Sequence, residues 1–243
     1  ADVDGDGLSD LAFASYIDDD GSYALDSLVY LNSQSGFSES NVLYLDTVGA
    51  YWVRAADLDD DGYDDLVLPS YYNGSFSLDS HVYWGSSTGP KNSDVTELPT
   101  KGAMEPLLTD LDQDGYIDLV FANARSNSTY GVDSSVYWGS SSGYSSFDET
   151  ELPTSGAHGA AAGDLDGDGA DEVLIPGPTE LTGTGGSIPL PKRIVAKEGD
   201  DERWVTDVAW VDMNGDGKLD LVLSEMAGDG SFFGSTAEIS WYT

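Results

Sequence analysis

An all-β fold built on a repeated four-stranded unit is predicted by three features of the sequence. An acidic loop occurs five times, its first residue falling at 2, 57, 110, 164 and 212. Each loop runs into a short β-prone apolar segment: Leu-Ala-Phe-Ala, Leu-Val-Leu-Pro, Leu-Val-Phe-Ala, Val-Leu-Ile-Pro and Leu-Val-Leu-Ser. A hairpin-like stretch recurs in phase, Ser80-His-Val-Tyr-Trp-Gly-Ser-Ser-Thr-Gly89 returning as Ser134-Ser-Val-Tyr-Trp-Gly-Ser-Ser-Ser-Gly143. A period of roughly fifty residues is the mark of blades, solenoid turns or arrays.

The elements of one period follow in order. Asp65-Leu-Val-Leu-Pro69 is apolar, short and closed by a turn residue, so it reads as a strand. A polar loop follows over Ser70 to Ser80. His81-Val-Tyr-Trp-Gly85 is the next strand, Ser86-Ser-Thr-Gly89 a turn, and Val95-Thr-Glu-Leu-Pro99 a further strand. Ala103 to Leu108 leads into the next acidic loop as the last. Four short strands per repeat match a blade of a β-propeller. Residues 1–243 thus read as one propeller domain of about five antiparallel blades, with repeats starting near 2, 57, 110, 164 and 212. In this register the first blade lacks its inner strand and the fifth its outer one. A piece of a larger propeller of about seven blades is favoured over a closed five-bladed ring.

The acidic loops have the chemistry of a cation site. They read Asp2-Val-Asp4-Gly-Asp6-Gly7-Leu8-Ser-Asp10, Asp57-Leu-Asp59-Asp-Asp61-Gly62-Tyr63-Asp-Asp65, Asp110-Leu-Asp112-Gln-Asp114-Gly115-Tyr116-Ile-Asp118, Asp164-Leu-Asp166-Gly-Asp168-Gly169-Ala170-Asp-Glu172 and Asp212-Met-Asn214-Gly-Asp216-Gly217-Lys218-Leu-Asp220. Side-chain oxygens stand at positions 1, 3, 5 and 9, with Gly at 6 for a sharp turn. The carbonyl of position 7 (Leu8, Tyr63, Tyr116, Ala170, Lys218) is a further ligand. Ca²⁺ takes six to eight oxygen ligands, whereas Mg²⁺ demands tight octahedral geometry and keeps its waters. Zinc is disfavoured by zero Cys and two distant His. Without a cation, the carboxylates within each loop repel one another. Up to five Ca²⁺ ions are expected. An EF-hand would need Glu at position 12 and flanking helices. Position 12 is instead Phe13, Leu68, Phe121, Ile175 or Leu223, and the loops lead into strands.

These Asp-x-Asp-x-Asp-Gly-x-x-Asp loops, together with Val-Tyr-Trp-Gly-Ser-Ser-x-Gly, resemble the FG-GAP/VCBS-type repeats of calcium-binding β-propellers such as those of integrin α-subunits. The resemblance spans nearly the whole chain. It implies calcium in the turn between the first and second strands of a blade, and an extracellular setting in adhesion or glycan binding. Two departures from the pattern, Asn214 at position 3 and Glu172 at position 9, put the strength of their sites in doubt.

Composition narrows the partners. Forty-five acids against nine bases give a formal charge of −36, which five Ca²⁺ would offset only in part. Nucleic acid and anionic membranes are poor partners for such a surface. Disorder is excluded by 40% hydrophobic and 11% aromatic residues in periodic runs. No window approaches the roughly 20 apolar residues of a membrane-spanning helix. With no Cys, calcium is the plausible staple of the fold.

No catalytic constellation stands out, and the expectation is a non-catalytic module. His81 has Leu28 and Ser135 as sister positions; His158 has Tyr51 and Met104. The better binding candidates are the long connections Ser15–Ser27, Ser70–Ser80, Ala122–Ser134, Pro176–Ser187 and Ser224–Ser235. They carry Tyr16, Tyr23, Tyr71, Tyr72, Phe76, Arg125, Tyr130, Phe232 and Phe233, whose rings either stack on sugars or pack repeat against repeat. Leu25-Asp26-Ser27, Leu78-Asp79-Ser80 and Val132-Asp133-Ser134 read as turns ending these loops. Asn73-Gly-Ser75 and Asn127-Ser-Thr129 are glycosylation sequons. The function expected is a secreted, cell-surface adhesion, ligand-binding or structural module whose partner is a glycan, a surface protein or another copy. The alternative is the propeller of a polysaccharide lyase or glycosidase, or its carbohydrate-binding accessory domain.

Overall fold

The computed structural model describes residues 1–164, 171–176, 181–184, 203–213, 215, 220–227 and 236–242. The described residues contain strands and turns and no helix. They form five antiparallel sheets, each made of strands consecutive in the chain. The first holds β1 (Leu11–Phe13), β2 (Ala24–Tyr30) and β3 (Val42–Val48). The second holds β4 (Arg54–Ala56), β5 (Asp65–Leu68), β6 (Ser77–Tyr83) and β7 (Val95–Lys101). The third holds β8 (Ala103–Thr109), β9 (Asp118–Asn123), β10 (Ser134–Tyr137) and β11 (Glu149–Leu152). Then come β12 (Ala161–Gly163), β13 (Glu172–Pro176) and β14 (Leu181–Thr184), and finally β15 (Arg203–Val211), β16 (Asp220–Ala227) and β17 (Thr236–Tyr242).

The sheets pack face to face because their central strands are apolar on both sides. Leu66 and Leu68 of β5 join Tyr83 against Val29, Leu31 and Leu45 of the first sheet. Val67, between them, turns the other way, with Val82 and Leu98, onto Leu119, Phe121 and Tyr137 of the third sheet. Val120 and Val136 of that sheet meet Val173 and Ile175 of the fourth. A strand covered on both faces needs a continuous apolar run, which is why the acidic loops before β5, β9 and β13 lead into one. The first sheet differs. Leu11 and Phe13, the counterparts of Leu66 and Leu68, are 45% and 49% exposed.

Polar contacts recur at the sheet interfaces. The Tyr83 hydroxyl donates to the Asp46 carbonyl on β3, and the Tyr137 hydroxyl to the equivalent Pro99 carbonyl on β7. Asn92 covers the outer edge of β3 as a strand would, accepting from Asp46 N at 2.9 Å and donating to Tyr44 O at 3.2 Å.

Leu25-Asp26-Ser27 and Leu78-Asp79-Ser80 are not turns. They lie within β2 and β6, and Ser134 opens β10. The reason is a buried relay repeated three times. Ser27, Ser80 and Ser134 each accept a backbone N–H, from Ser15, Ser70 and Asn123. Each hydroxyl pairs at 2.8–2.9 Å with Thr47, Thr100 or Thr154. Those threonines donate to the carbonyls of Leu25, Leu78 and Val132. Burial of a hydroxyl demands partners, and the strand register supplies them. The connections accordingly shorten to residues 14–23, 69–76 and 124–133. Likewise β14 falls inside the stretch Pro176–Ser187, and β16 takes in Ser224.

Candidate metal loops and an aromatic loop face

Antiparallel order sorts the connections to two ends. Loop 57–64 joins β4 to β5 and the hairpin 84–94 joins β6 to β7 at one end; segment 69–76 joins β5 to β6 at the other. The third sheet repeats this with 110–117, 138–148 and 124–133.

The first three acidic loops share one geometry. Position 1 accepts from the N–H of position 6: Gly7 to Asp2, Gly62 to Asp57 and Gly115 to Asp110, at 2.9–3.0 Å. Position 3 (Asp4, Asp59, Asp112) accepts from the N–H of position 5 at 3.2–3.3 Å. Position 5 (Asp6, Asp61, Asp114) accepts from Leu8, Tyr63 and Tyr116 N at 2.8–2.9 Å. The turn places position 4 in the left-handed region as well as position 6: Gly5, Asp60 and Gln113 have φ of 69°, 60° and 60°.

Position 9 does something the sequence reading missed. Asp10, Asp65 and Asp118 are buried, and both oxygens of each accept backbone N–H groups. One accepts from position 2, Val3, Leu58 or Leu111, at 2.8–2.9 Å. The other accepts from Asn32, Gly85 or Gly139, on the hairpin that follows the next strand, at 2.7–2.8 Å. The carboxylate therefore clips the acidic loop to that hairpin. This explains the Gly after Tyr-Trp: a Cβ on Gly139 would lie 2.3 Å from the Ile117 carbonyl oxygen. Burial pushes Asp65 up to about 7 against the pull of the Gly85 and Leu58 N–H groups, with Asp59 and Asp61 adding to the rise. Asp118 is raised for the same reasons, and Asp4 and Asp59 are raised chiefly by desolvation.

The donor sets suit a hard cation. Ligand oxygens of Asp2, Asp4 and Asp6 lie within 4.8 Å of one another, as do those of Asp57, Asp59 and Asp61 and of Asp110, Asp112 and Asp118. With Ca–O distances of 2.3–2.6 Å, two oxygens across one ion stand up to about 5 Å apart. Asp2 Oδ1 is enclosed and meets no hydrogen-bond donor. Adjacent loops also abut, Asp2 N donating to Asp64 Oδ2 at 2.7 Å. In the fourth loop Asp164 and the buried Glu172 are described; Asp166, Asp168 and Ala170 lie outside the described residues. In the fifth, Asp212 is exposed and Asp220 opens β16, while Asn214, Asp216 and Lys218 lie outside them.

At the opposite end the aromatic candidates converge. Tyr23, Phe76 and Tyr130 occupy equivalent positions, each carbonyl accepting an N–H from a glycine between sheets: Gly49, Gly102 and Gly156. Tyr72 fills the gap between the first two rings, 5.3 Å from Tyr23 and 4.4 Å from Phe76 between centroids. Arg125 fills the next, its guanidinium carbon 4.4 Å from the Phe76 centroid and 4.5 Å from that of Tyr130. Behind this row, Tyr16 and Tyr71 pack on Tyr51 at 5.4 and 5.3 Å. Burial, with Tyr23 and Tyr71 beside it, pushes Tyr16 up to about 12. Tyr51 was not among the sequence candidates; its place beside Gly49, matching His158 beside Gly156, was the available signal. Phe232 and Phe233 lie outside the described residues.

A cleft of about 550 Å³ opens at the acidic-loop end beside Trp138, Tyr144 and the 94% exposed Phe147. Tyr144 stacks across the sheet interface on Trp84 of the preceding repeat, at 6.1 Å. Among the described residues, no helix is long and apolar enough to cross a membrane.

Residues 110–175 match the family model of the FG-GAP-like repeat. A search of curated proteins finds no match. Among solved structures, 39 chains match. One is the V. cholerae biofilm matrix protein Bap1, at 20% sequence identity and a TM-score of 0.58, over 97% of this chain and 34% of that one. The chain thus has the fold of part of Bap1 and spans about a third of its length.

Proposed function

We propose that this chain forms part of an extracellular, calcium-stabilised β-propeller that serves as a non-catalytic adhesion or structural module. The observation that carries the reading is the shared geometry of three acidic loops, with carboxylate oxygens converging within 4.8 Å. The enclosed, undonated Asp2 Oδ1 adds to it. Calcium would be held by positions 1, 3 and 5 in the first two loops, Asp57, Asp59 and Asp61 in the second, and by positions 1, 3 and 9, Asp110, Asp112 and Asp118, in the third. Its charge would relieve repulsion among carboxylates that the backbone already gathers. The FG-GAP-like match and the fold shared with a biofilm matrix protein support a surface or matrix setting. Sheets stacked in sequence, each buried on the next, support blades around an axis. In a larger ring the open Leu11 and Phe13 face would be covered by a further sheet of the same kind.

Extracellular modules bind calcium with dissociation constants of roughly 10⁻⁴–10⁻³ M. At about tenfold excess over that value each site adds ~1.4 kcal/mol, so five sites approach the stability of an ordinary domain. The test is a thermal melt in millimolar calcium and again in chelator, paired with calorimetric titration of the metal-free protein. A fall in melting temperature of more than about ten degrees is expected. An unchanged melt and no heat of binding would overturn the proposal. Turnover of polysaccharides by the calcium-loaded protein would mark an enzyme instead.

A further inference from the structure

We infer that the row Tyr23–Tyr72–Phe76–Arg125–Tyr130 is a binding strip for an uncharged polysaccharide. This rests on the reading of the chain as a binding module and names the ligand class. The strip is built by the repeat itself. One aromatic residue per repeat, at an equivalent position, is fixed by the same glycine N–H bond from the inter-sheet connection. The spaces between those rings are filled by Tyr72 and Arg125, so the row is continuous across three repeats. A ligand that uses such a row must itself repeat and must offer apolar ring faces. The C–H faces of successive pyranose rings do both, and aromatic rings are the usual surfaces for them.

Polar groups flank the strip. Asn73, Asn127 and Ser128 are exposed on the same loops. Asn127 ties two of those loops together, accepting from Phe76 N at 2.8 Å and donating to Ser75 Oγ at 3.0 Å. The loops are therefore cross-braced, which lowers the ordering cost of binding. Arg54 and Lys101 are neutralised by Glu105 and Glu151, whereas Arg125 forms no salt bridge among the described residues. Its guanidinium donates to Tyr130 Oη at 3.0 Å and to Ser126 O at 3.5 Å. A guanidinium has five donors, so some remain for sugar hydroxyls.

Charge decides between sugar classes. The Arg125 guanidinium sits on a chain of net charge −36. The summed field repels a polyuronate or sulfated glycan before Arg125 can act on it. An uncharged polyhydroxyl chain meets no such barrier, and its binding does not fall with salt.

The experiment is affinity electrophoresis and calorimetry of the calcium-loaded protein against neutral polysaccharides (β-glucan, galactomannan, xylan) and polyuronates (alginate, polygalacturonate), at low and high salt. Binding to at least one neutral polymer, insensitive to salt, is expected. Phe76→Ala and Tyr130→Ala should each weaken it about tenfold, while Phe147→Ala, at the other end of the sheets, leaves it unchanged. Melts of each variant separate lost binding from lost folding; Tyr130, 45% exposed, is the safer substitution. Preference for polyuronates, indifference to Tyr130→Ala, or no binding by any neutral polymer would overturn the inference. A calcium-dependent melt with no sugar binding would sink this inference alone. Loss of the calcium dependence would sink the reading beneath it.

Discussion

Replacing Asp65 with Asn separates two roles that the sequence motif merges. At position 9 the carboxylate reads as a cation ligand, yet in the second repeat it is 1% exposed and accepts Leu58 N at 2.9 Å and Gly85 N at 2.7 Å. The amide introduced by Asp65→Asn would keep one acceptor and turn an NH₂ toward the other N–H. The lost bond to a charged acceptor is worth about 1.5–3 kcal/mol, and the stranded buried donor about 1–3 more. Burial already penalises the charged form of Asp65, so part of that loss is returned. A net destabilisation of about 2–3 kcal/mol follows, or roughly 5–10 °C in a domain of this size. The control is Asp61→Asn. Asp61 is exposed and bonds only within its own loop, accepting Tyr63 N, a bond that the Asn oxygen keeps. Urea midpoints with chelator and with calcium give four comparisons. Asp65→Asn should be destabilised in both solutions, and Asp61→Asn only with calcium. If Asp65→Asn costs less than about 0.5 kcal/mol in chelator, the clip between loop and hairpin contributes nothing and the argument fails.

Three further outcomes can be checked on the same protein. Gln113 holds φ of 60° where three of the five loops have Gly, so Gln113→Gly should raise stability by about 0.5–1 kcal/mol in urea titrations; a loss would mean its side chain matters more than its backbone. Tyr83→Phe removes the hydroxyl that reaches the Asp46 carbonyl and should cost about 1 kcal/mol by the same measurement. Burial lowers the pKa of His81 against the opposing pull of Glu97 and Asp79, and burial lowers His158. The unfolded chain therefore takes up these protons first, and stability is present above about pH 6.5 and lost as pH falls toward the folded values. His81→Leu, matching Leu28 of the first repeat, should flatten that acid limb in melts between about pH 7 and 5; an unaltered slope would assign the loss elsewhere.

What the sequence made legible was whatever repeats with a chemical reason. The apolar runs after the second and third loops are strands because both faces are covered, and Leu66, Val67 and Leu68 say so in their order. The acidic positions 1, 3 and 5 come together in the first two loops, and positions 1, 3 and 9 in the third. The Leu-Asp-Ser segments misled because Asp and Ser are turn residues by habit, and only the cross-strand threonines show why Ser27 and Ser80 are buried within strands. Position 4 of the loop was overlooked because Asp60 and Gln113 disguise a left-handed site that Gly5 advertises. The aromatic row was half visible. The residues were named, but that Tyr23, Phe76 and Tyr130 are one position becomes clear only from the glycine N–H bond that each accepts.

The two ends of each sheet are closer than their separate chemistries suggest. β5 is four residues long, beginning at Asp65 and ending at Leu68. Asp65 fixes its start by two hydrogen bonds, and the Ser70 N–H, given to Ser80, fixes its exit. Tyr71 and Tyr72 follow at once, Tyr71 N bonding to the Gly49 carbonyl. In a strand this short, a slip of one residue would exchange Leu66 and Leu68 with Val67 between two packed cores and pull Asp65 off its two N–H donors. The acidic loop therefore sets the register in which the aromatic row is presented. In this repeat, order at the acidic end and shape at the aromatic end are two consequences of one buried carboxylate, Asp65.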